Sequence, residues 1–223
     1  MIKSTANASF AIQLITGILQ LGGLTIKLDE KDNILKELLF LEMIVQIIEG
    51  VFYAWLIKSF NKIENITKFR YYDWAFSTPL MLISLVIYLI YLRRQHEKTD
   101  EKLDLLDLIN KHKEVLIKIV ILNALMLLFG YLNEIGMLDT TSAVILGFIP
   151  FYMMFKLIYD NYAKYTPDGL NIFKYFVIIW GLYGIAALTN YNIKNTSYNI
   201  LDLFSKNILG IYYSYIIFTK MKK

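Results

Sequence analysis

Seven apolar runs, at roughly 6–26, 35–57, 71–92, 115–133, 142–163, 172–190 and 199–219, leave this chain few choices of fold. Each is close to the ~20 residues that a helix needs to cross a bilayer. A soluble domain of 223 residues could not bury seven such runs, and the 57% hydrophobic content agrees with lipid as a second solvent. Backbone polar groups in lipid must be satisfied within their own segment, so each run is expected to be a helix. The expected fold is an all-α membrane protein: one domain over 1–223, built as a seven-transmembrane-helix bundle, integral and multi-pass. An odd number of spans puts the termini on opposite sides. The connections after runs one, three and five, with the C-terminal end, hold most of the basic residues, among them Lys27, Lys31, Arg93, Arg94, Lys98, Lys102, Lys220, Lys222 and Lys223. The other side has Lys3, Lys58, Lys62, Lys68 and Lys194. The positive-inside rule then predicts the N-terminus outside and the C-terminus in the cytoplasm. The polar start Met1-Ile2-Lys3-Ser4-Thr5 leads straight into the first run, so no cleavable leader is expected.

Composition removes several functions. Cysteine is absent, which excludes a disulfide framework and a thiolate metal site. The two histidines, His96 and His112, both fall in the charged connector 93–114, so no buried metal cluster is expected. The net charge of +4 is accounted for by the side-to-side asymmetry and needs no nucleic-acid partner. Within the connector, the apolar spacing Leu103, Leu106, Ile109 predicts a short amphipathic surface helix over Lys102–Lys113. Thr166-Pro167-Asp168-Gly169 marks a break before the sixth run.

Polar residues inside apolar runs need a reason. An ionised ammonium near a bilayer centre costs at least about 2.5–3.5 kcal/mol. Lys206 stands in the middle of the last run, with Asp202 one turn earlier on the same face. A buried lysine beside a carboxylate suits a Schiff base, and equally suits a structural ion pair between helices. In the first run Ser9, Gln13, Thr16 and Gln20 recur at spacings of four, three and four, a continuous helical stripe. Glu42, Gln46, Glu49 and Tyr53 repeat that pattern in the second run. Interhelical hydrogen bonding explains either stripe alone; two matching stripes on neighbouring helices would line a water-bearing path.

The stretch Arg70-Tyr71-Tyr72-Asp73-Trp74-Ala75-Phe76-Ser77-Thr78-Pro79-Leu80, taken with Asp202 and Lys206, resembles the third- and seventh-helix motifs of the microbial (type 1) rhodopsins. Trp180-Gly181-Leu182-Tyr183-Gly184 is similar to the sixth-helix motif of that family, with glycine in place of its kink proline. Gly130–Gly136 and Tyr198–Asp202 resemble proteorhodopsin stretches. The resemblance implies all-trans retinal bound to Lys206, with Trp74, Thr78, Trp180 and Tyr183 in its pocket. It implies Asp73 and Asp202 as counterions, Asp73 as main proton acceptor, Arg70 holding a charge network one turn away, and Ser77 where the family usually has threonine. Gly184, Ala186 and Ala187 are expected to widen the pocket wall, and the fifth run is expected to serve packing.

Departures from the family pattern carry the functional expectation. Ser84 stands eleven residues after Asp73, where outward proton pumps usually keep a carboxylate donor, and serine cannot make that transfer. Lys194, Asn195, Thr196 and Ser197 occupy the region where bacteriorhodopsin-like pumps keep release glutamates. Asn207 follows the lysine, and a Ser9–Glu42–Asn207 gate with Gln13, Gln46 and Glu49 along the path is similar to the channel-like viral rhodopsins of algal giant viruses. The function expected is a light-gated cation channel and not an enzyme, in contact with the lipid bilayer and with monovalent cations or protons. The resemblance leaves room for a homo-oligomer. A light-driven outward proton pump is the alternative, and a sensory photoreceptor the second one.

Overall fold

The computed structural model describes residues 1–221. Lys222 and Lys223, two of the charges counted for orientation, lie outside the described residues. The chain forms α1 (Ile2–Thr25), α2 (Ile34–Ser59), α3 (Ile66–Glu97), α4 (Leu105–Glu134), α5 (Thr140–Asn161) and α6 (Pro167–Ala187). The seventh span follows in two halves, α7 (Tyr191–Asp202) and α8 (Ile208–Thr219), joined without a break by a π-helical turn, Leu203–Asn207. Among the described residues the first six helices are each long and apolar enough to cross a membrane. The seventh falls short of that measure because the π turn divides it and because Tyr191–Asp202 is rich in asparagine.

The helix ends follow local chemistry. Asp104, Asp139, Thr166 and Asn190 each accept a hydrogen bond from a backbone N–H in the first turn of the helix that follows, which satisfies donors that the helix itself leaves free. Pro167 occupies the first turn of α6, where its missing N–H costs nothing. The connector differs from expectation. α3 runs on to Glu97 and ends at Lys98 in a left-handed conformation. The Lys102–Lys113 segment is no separate surface helix, because α4 starts at Leu105 and continues unbroken to Glu134. Neither proline nor glycine falls between 105 and 129 to stop it, and Leu108 packs inward in the same register as Leu116 and Ile119.

Both polar stripes face inward, as their spacing predicts. Ser9, Gln13, Thr16 and Gln20 of α1 are buried, and so are Glu42, Gln46, Glu49 and Tyr53 of α2. Lipid-facing positions are large and apolar, for example Leu14, Ile18, Ile47 and Val51. The two ends of the bundle are closed by ion pairs. On the face bearing the N-terminus, Lys194 Nζ lies 2.6 Å from Glu134 Oε1, and Asn65 donates to Glu134 Oε2 at 3.2 Å. On the opposite face the Asp32 carboxylate accepts from Tyr91 at 2.8 Å, Gln95 at 3.0 Å, Lys220 at 3.0 Å and Arg94 at 3.3 Å. One acid thereby ties the first turn of the bundle to α3 and to the end of α8.

Candidate functional site

Lys206 lies inside the π turn, where the backbone N–H of Ile208 reaches back to the carbonyl of Leu203. Such a turn inserts one residue into a helix and is common at functional sites. Tyr175 of α6 donates to the Phe204 carbonyl within it at 2.6 Å. The Lys206 side chain is 2% exposed, and Nζ stands 2.6 Å from Asp73 Oδ2, 3.9 Å from Asp202 Oδ1 and 3.9 Å from Glu49 Oε1. Asp73 is the near partner, as the resemblance implied. Glu49 is a third carboxyl at the lysine. The sequence reading placed it along an ion path and did not bring it to the lysine; α2 carries Glu49 one turn from Tyr53, and both side chains point to the seventh span.

The two aspartates have different surroundings. Asp202 Oδ2 accepts from Tyr53 at 2.8 Å and from Arg70 at 3.3 Å, while Oδ1 accepts from Tyr183 at 2.7 Å. Arg70 is fully buried and also bonds to Asn195 Oδ1 at 3.2 Å, Asn195 O at 3.3 Å and the side chain of Asn199. The planar guanidinium thus spends its donors on fixed acceptors, a geometry that an ammonium cannot copy. Asp73 pairs with the lysine at 2.6 Å, with the Ser77 hydroxyl on its other side. Its Oδ1, the Ser77 hydroxyl and both oxygens of Glu49 have no hydrogen-bond partner among the described residues. Asp202 is therefore held by three donors, whereas Asp73 Oδ1 stays without a partner beside the lysine nitrogen.

An apolar cavity runs from Lys206 and Ser205 past Trp74, Thr78, Trp180 and Tyr183 to α4 and α5. All four residues expected around retinal line it. Trp74 meets Tyr183 edge-on at 5.5 Å between ring centres, and Thr78 is fixed by Asn123 at 2.8 Å. The far end is lined by Gly130, Gly147, Phe148 and Phe151, so α5 supplies cavity wall in addition to the packing expected of it. The expectation for the sixth-helix glycine is corrected. A Cβ at Gly184 would come within 2.7 Å of the Phe148 ring; the glycine does not widen the wall, because Phe148 fills the space. Ala187 lines the cavity, and Ala186 is buried outside the lining. An apolar slot walled by aromatic rings, with one amine at its end and carboxyls around that amine, fits a long apolar aldehyde held as a protonated imine.

The expected Ser9–Glu42–Asn207 gate does not form. Ser9 donates to the Asn199 carbonyl at 2.8 Å, and Asn199 lies two turns before Asn207, about 12 Å along a helix rising 1.5 Å per residue. The reason is directional: α1 and α2 run opposite ways, so the early residue of α1 lies level with the late residues of α2. Gln46 takes the place assigned to Glu42. Its amide donates to Asn207 Oδ1 at 3.2 Å and to the Gln13 carbonyl at 3.3 Å. Glu42 sits one turn further along, facing Ser84 and Tyr213. The amides of Gln13 and Gln20, both oxygens of Glu42 and Asn207 Nδ2 have no hydrogen-bond partner among the described residues.

Comparison with known proteins agrees with this geometry. A family described as bacteriorhodopsin-like protein matches residues 4–220. A green-light absorbing proteorhodopsin from Gamma-proteobacterium EBAC31A08 is 25% identical over 165 residues, which is 66% of this chain and 60% of that protein. The match therefore spans less than two thirds of the length of this curated relative. The crystal structure of viral rhodopsin OLPVRII superposes with a TM-score of 0.84 at 25% identity, covering 99% of both chains. That of a blue light-absorbing proteorhodopsin from Med12 gives 0.75 at 19% identity, covering 98% of this chain and 96% of the other.

Proposed function

The chain belongs to the bacteriorhodopsin-like family, the microbial rhodopsins, whose members are multi-pass membrane proteins with a retinal chromophore, and from that premise we propose that it is a light-gated cation channel using all-trans retinal on Lys206. The observation that carries this reading is the seam between α1, α2 and the seventh span. Gln13, Gln20, Gln46 and Asn207 place buried amides along it, several of them unpaired, and Glu49 joins it to Lys206. Unpaired polar groups buried in a membrane protein cost free energy that water entry would recover. Carboxyl and amide oxygens along such a path favour cations over anions. On this reading 1–223 is one functional domain, with the N-terminus outside and the C-terminus in the cytoplasm.

Retinal, when bound to Lys206 Nζ, supplies a light-driven isomerisation that reorients this nitrogen. Asp73 takes the proton from Nζ. Asp202 stays fixed by Tyr53, Tyr183 and Arg70, so a change in charge at Asp73 is felt by Glu49 and Asn207, which keep polar atoms without a hydrogen-bond partner among the described residues. Loss of the Gln46–Asn207 contact then joins the two ends of the seam. Outward proton pumping is the second reading, favoured by the Arg70–Asp202 and Asp73–Lys206 pairs, which alone suffice for proton release from Nζ.

Voltage-clamped photocurrent separates the two. A channel gives a reversal potential that follows the cation gradient; outward current at every voltage would overturn the channel reading. Gln46→Leu removes the amide that bridges Gln13 and Asn207. It is expected to lower current per unit of pigment absorbance severalfold while pigment still forms, and an unchanged value would remove the seam from the path. Asp73→Asn tests the charge at the nitrogen. With the nearest carboxylate gone, the positive charge spreads along the polyene and absorption moves to the red. Acid titration of the parent should reproduce that spectrum. An unmoved maximum would assign the main counter-charge to Asp202 or Glu49.

A further inference from the structure

Glu42 is 1% exposed, has no hydrogen-bond partner for either oxygen among the described residues, and is not in the gate once assigned to it. Its neighbours give it another role. α3 presents Ser84 to it, the residue standing where a donor carboxylate was expected. The α8 half of the seventh span presents Tyr213, whose hydroxyl lies 3.3 Å from Ser84 Oγ. The buried stripe of α1, Ser9, Gln13, Thr16 and Gln20, carries no charge. On α2 the next charged residue towards Lys206 is Glu49, two turns away. A carboxylate this deep with no cation beside it is costly.

We infer that Glu42 is the internal proton donor that returns a proton to Lys206 Nζ, the carboxyl having moved from α3 to α2 while keeping its place in the bundle. The proton leaves Glu42 Oε and ends on Nζ, through water oriented by the amides of Gln46 and Asn207, which lie between the two. The resulting carboxylate is reloaded from the face opposite the N-terminus. Ser84 and Tyr213 begin that route. The Tyr213 ring stands 5.0 Å from that of Tyr88, and Tyr88 and Tyr212 hydroxyls are 3.0 Å apart. Both of these tyrosines line a cavity of about 630 Å³ that also exposes Gln95, Asp168 and Lys220. The inference rests on Lys206 carrying retinal, and it holds whether transport is passive or pumped, since in either case Nζ must regain its proton.

Two measurements test it. Infrared spectra of the retinal-free protein should contain the carbonyl stretch of a neutral carboxylic acid that Glu42→Gln removes, a result independent of the retinal assignment. In the pigment, time-resolved absorption after a flash reads the return of the proton to Nζ. The parent should show a rate that does not depend on bath pH. In Glu42→Gln the rate should fall about tenfold for each unit of rising pH, as direct uptake from the bath requires, and a permeant weak acid should restore it. Glu42→Asp should keep the pH-independent rate class, and Tyr213→Phe should slow only the second of two closely spaced turnovers. A packing role alone would alter stability and leave the pH dependence flat. Absence of the Glu42 band, a flat profile in Glu42→Gln, or a pigment in which Nζ never loses its proton overturns the proposal. A parent that binds no retinal instead removes the Lys206 reading, while the infrared band still reports on Glu42.

Discussion

Lys206→Ala is expected to abolish visible absorption while leaving a protein that still inserts in the membrane. The lysine is the amine at the end of the aromatic cavity, and its nitrogen sits 2.6 Å from Asp73. Without it no imine can form on the chain. The cavity walls, set by Trp74, Trp180, Tyr183 and Phe148, do not depend on the lysine. A preformed imine of retinal with a short alkylamine should therefore enter the space left by the side chain and recover part of the colour. The structural cost is the loss of one cation among three carboxyls, since Asp73, Glu49 and Asp202 all lie within 4 Å of Nζ. The loss falls on Asp73 and Glu49, which form no other ion pair among the described residues. Native-like colour in Lys206→Ala without added imine would refute the attachment site.

The parts of this site that were legible in the sequence are those fixed by spacing along one helix. Asp202 and Lys206 had to share a face, and Arg70, Asp73, Ser77 and Thr78 had to line one side of α3, because helical periodicity allows nothing else. The inward direction of the two polar stripes was legible for the same reason. What could not be read was height across the bundle. Ser9 and Glu42 have matching positions within their stripes, yet antiparallel helices put Ser9 level with Asn199 and leave Gln46, the plainer residue, to meet Asn207. Counting residues from each membrane face, with α2 reversed, would have exposed this.

Two other misses have local causes. The continuity of α4 from Leu105 was hidden because Lys111, Lys113 and Glu114 lower the hydropathy between the predicted surface helix and the fourth apolar run. Gly184 reads as added room in the sequence, and only its neighbour shows otherwise, since Phe148 comes from a helix with no motif of its own. The third carboxyl at Lys206 was present in the pattern: Glu49 stands one turn before Tyr53, and a tyrosine reaching Asp202 brings its helical neighbour to the lysine.

Arg70→Gln is expected to cost more stability than any other single change in the bundle that keeps side-chain size. Both members of the Arg70–Asp202 pair have fully buried side chains, 3.3 Å apart. Removing one partner of such a pair typically costs about 3–5 kcal/mol, because the other charge stays behind without compensation. Here the loss is wider than one contact. The same guanidinium also holds Asn195 of α7 and the Asn199 side chain, so α3 and α7 lose their main polar joint near the N-terminal face. Arg70→Lys should recover little of this, since three donors on a flexible stem cannot meet the five acceptors that surround the guanidinium. Asp202→Asn in the Arg70→Gln background should recover much of it, because the stranded charge is then gone while Tyr53 and Tyr183 keep an acceptor. Thermal bleaching of the pigment and denaturant unfolding in micelles both read these differences. The order expected is parent, then double variant, then Arg70→Lys and Arg70→Gln together at the bottom. A double variant less stable than Arg70→Gln alone would mean that Asp202 is held by its tyrosines without need of the arginine, and that the two charges are independent of each other.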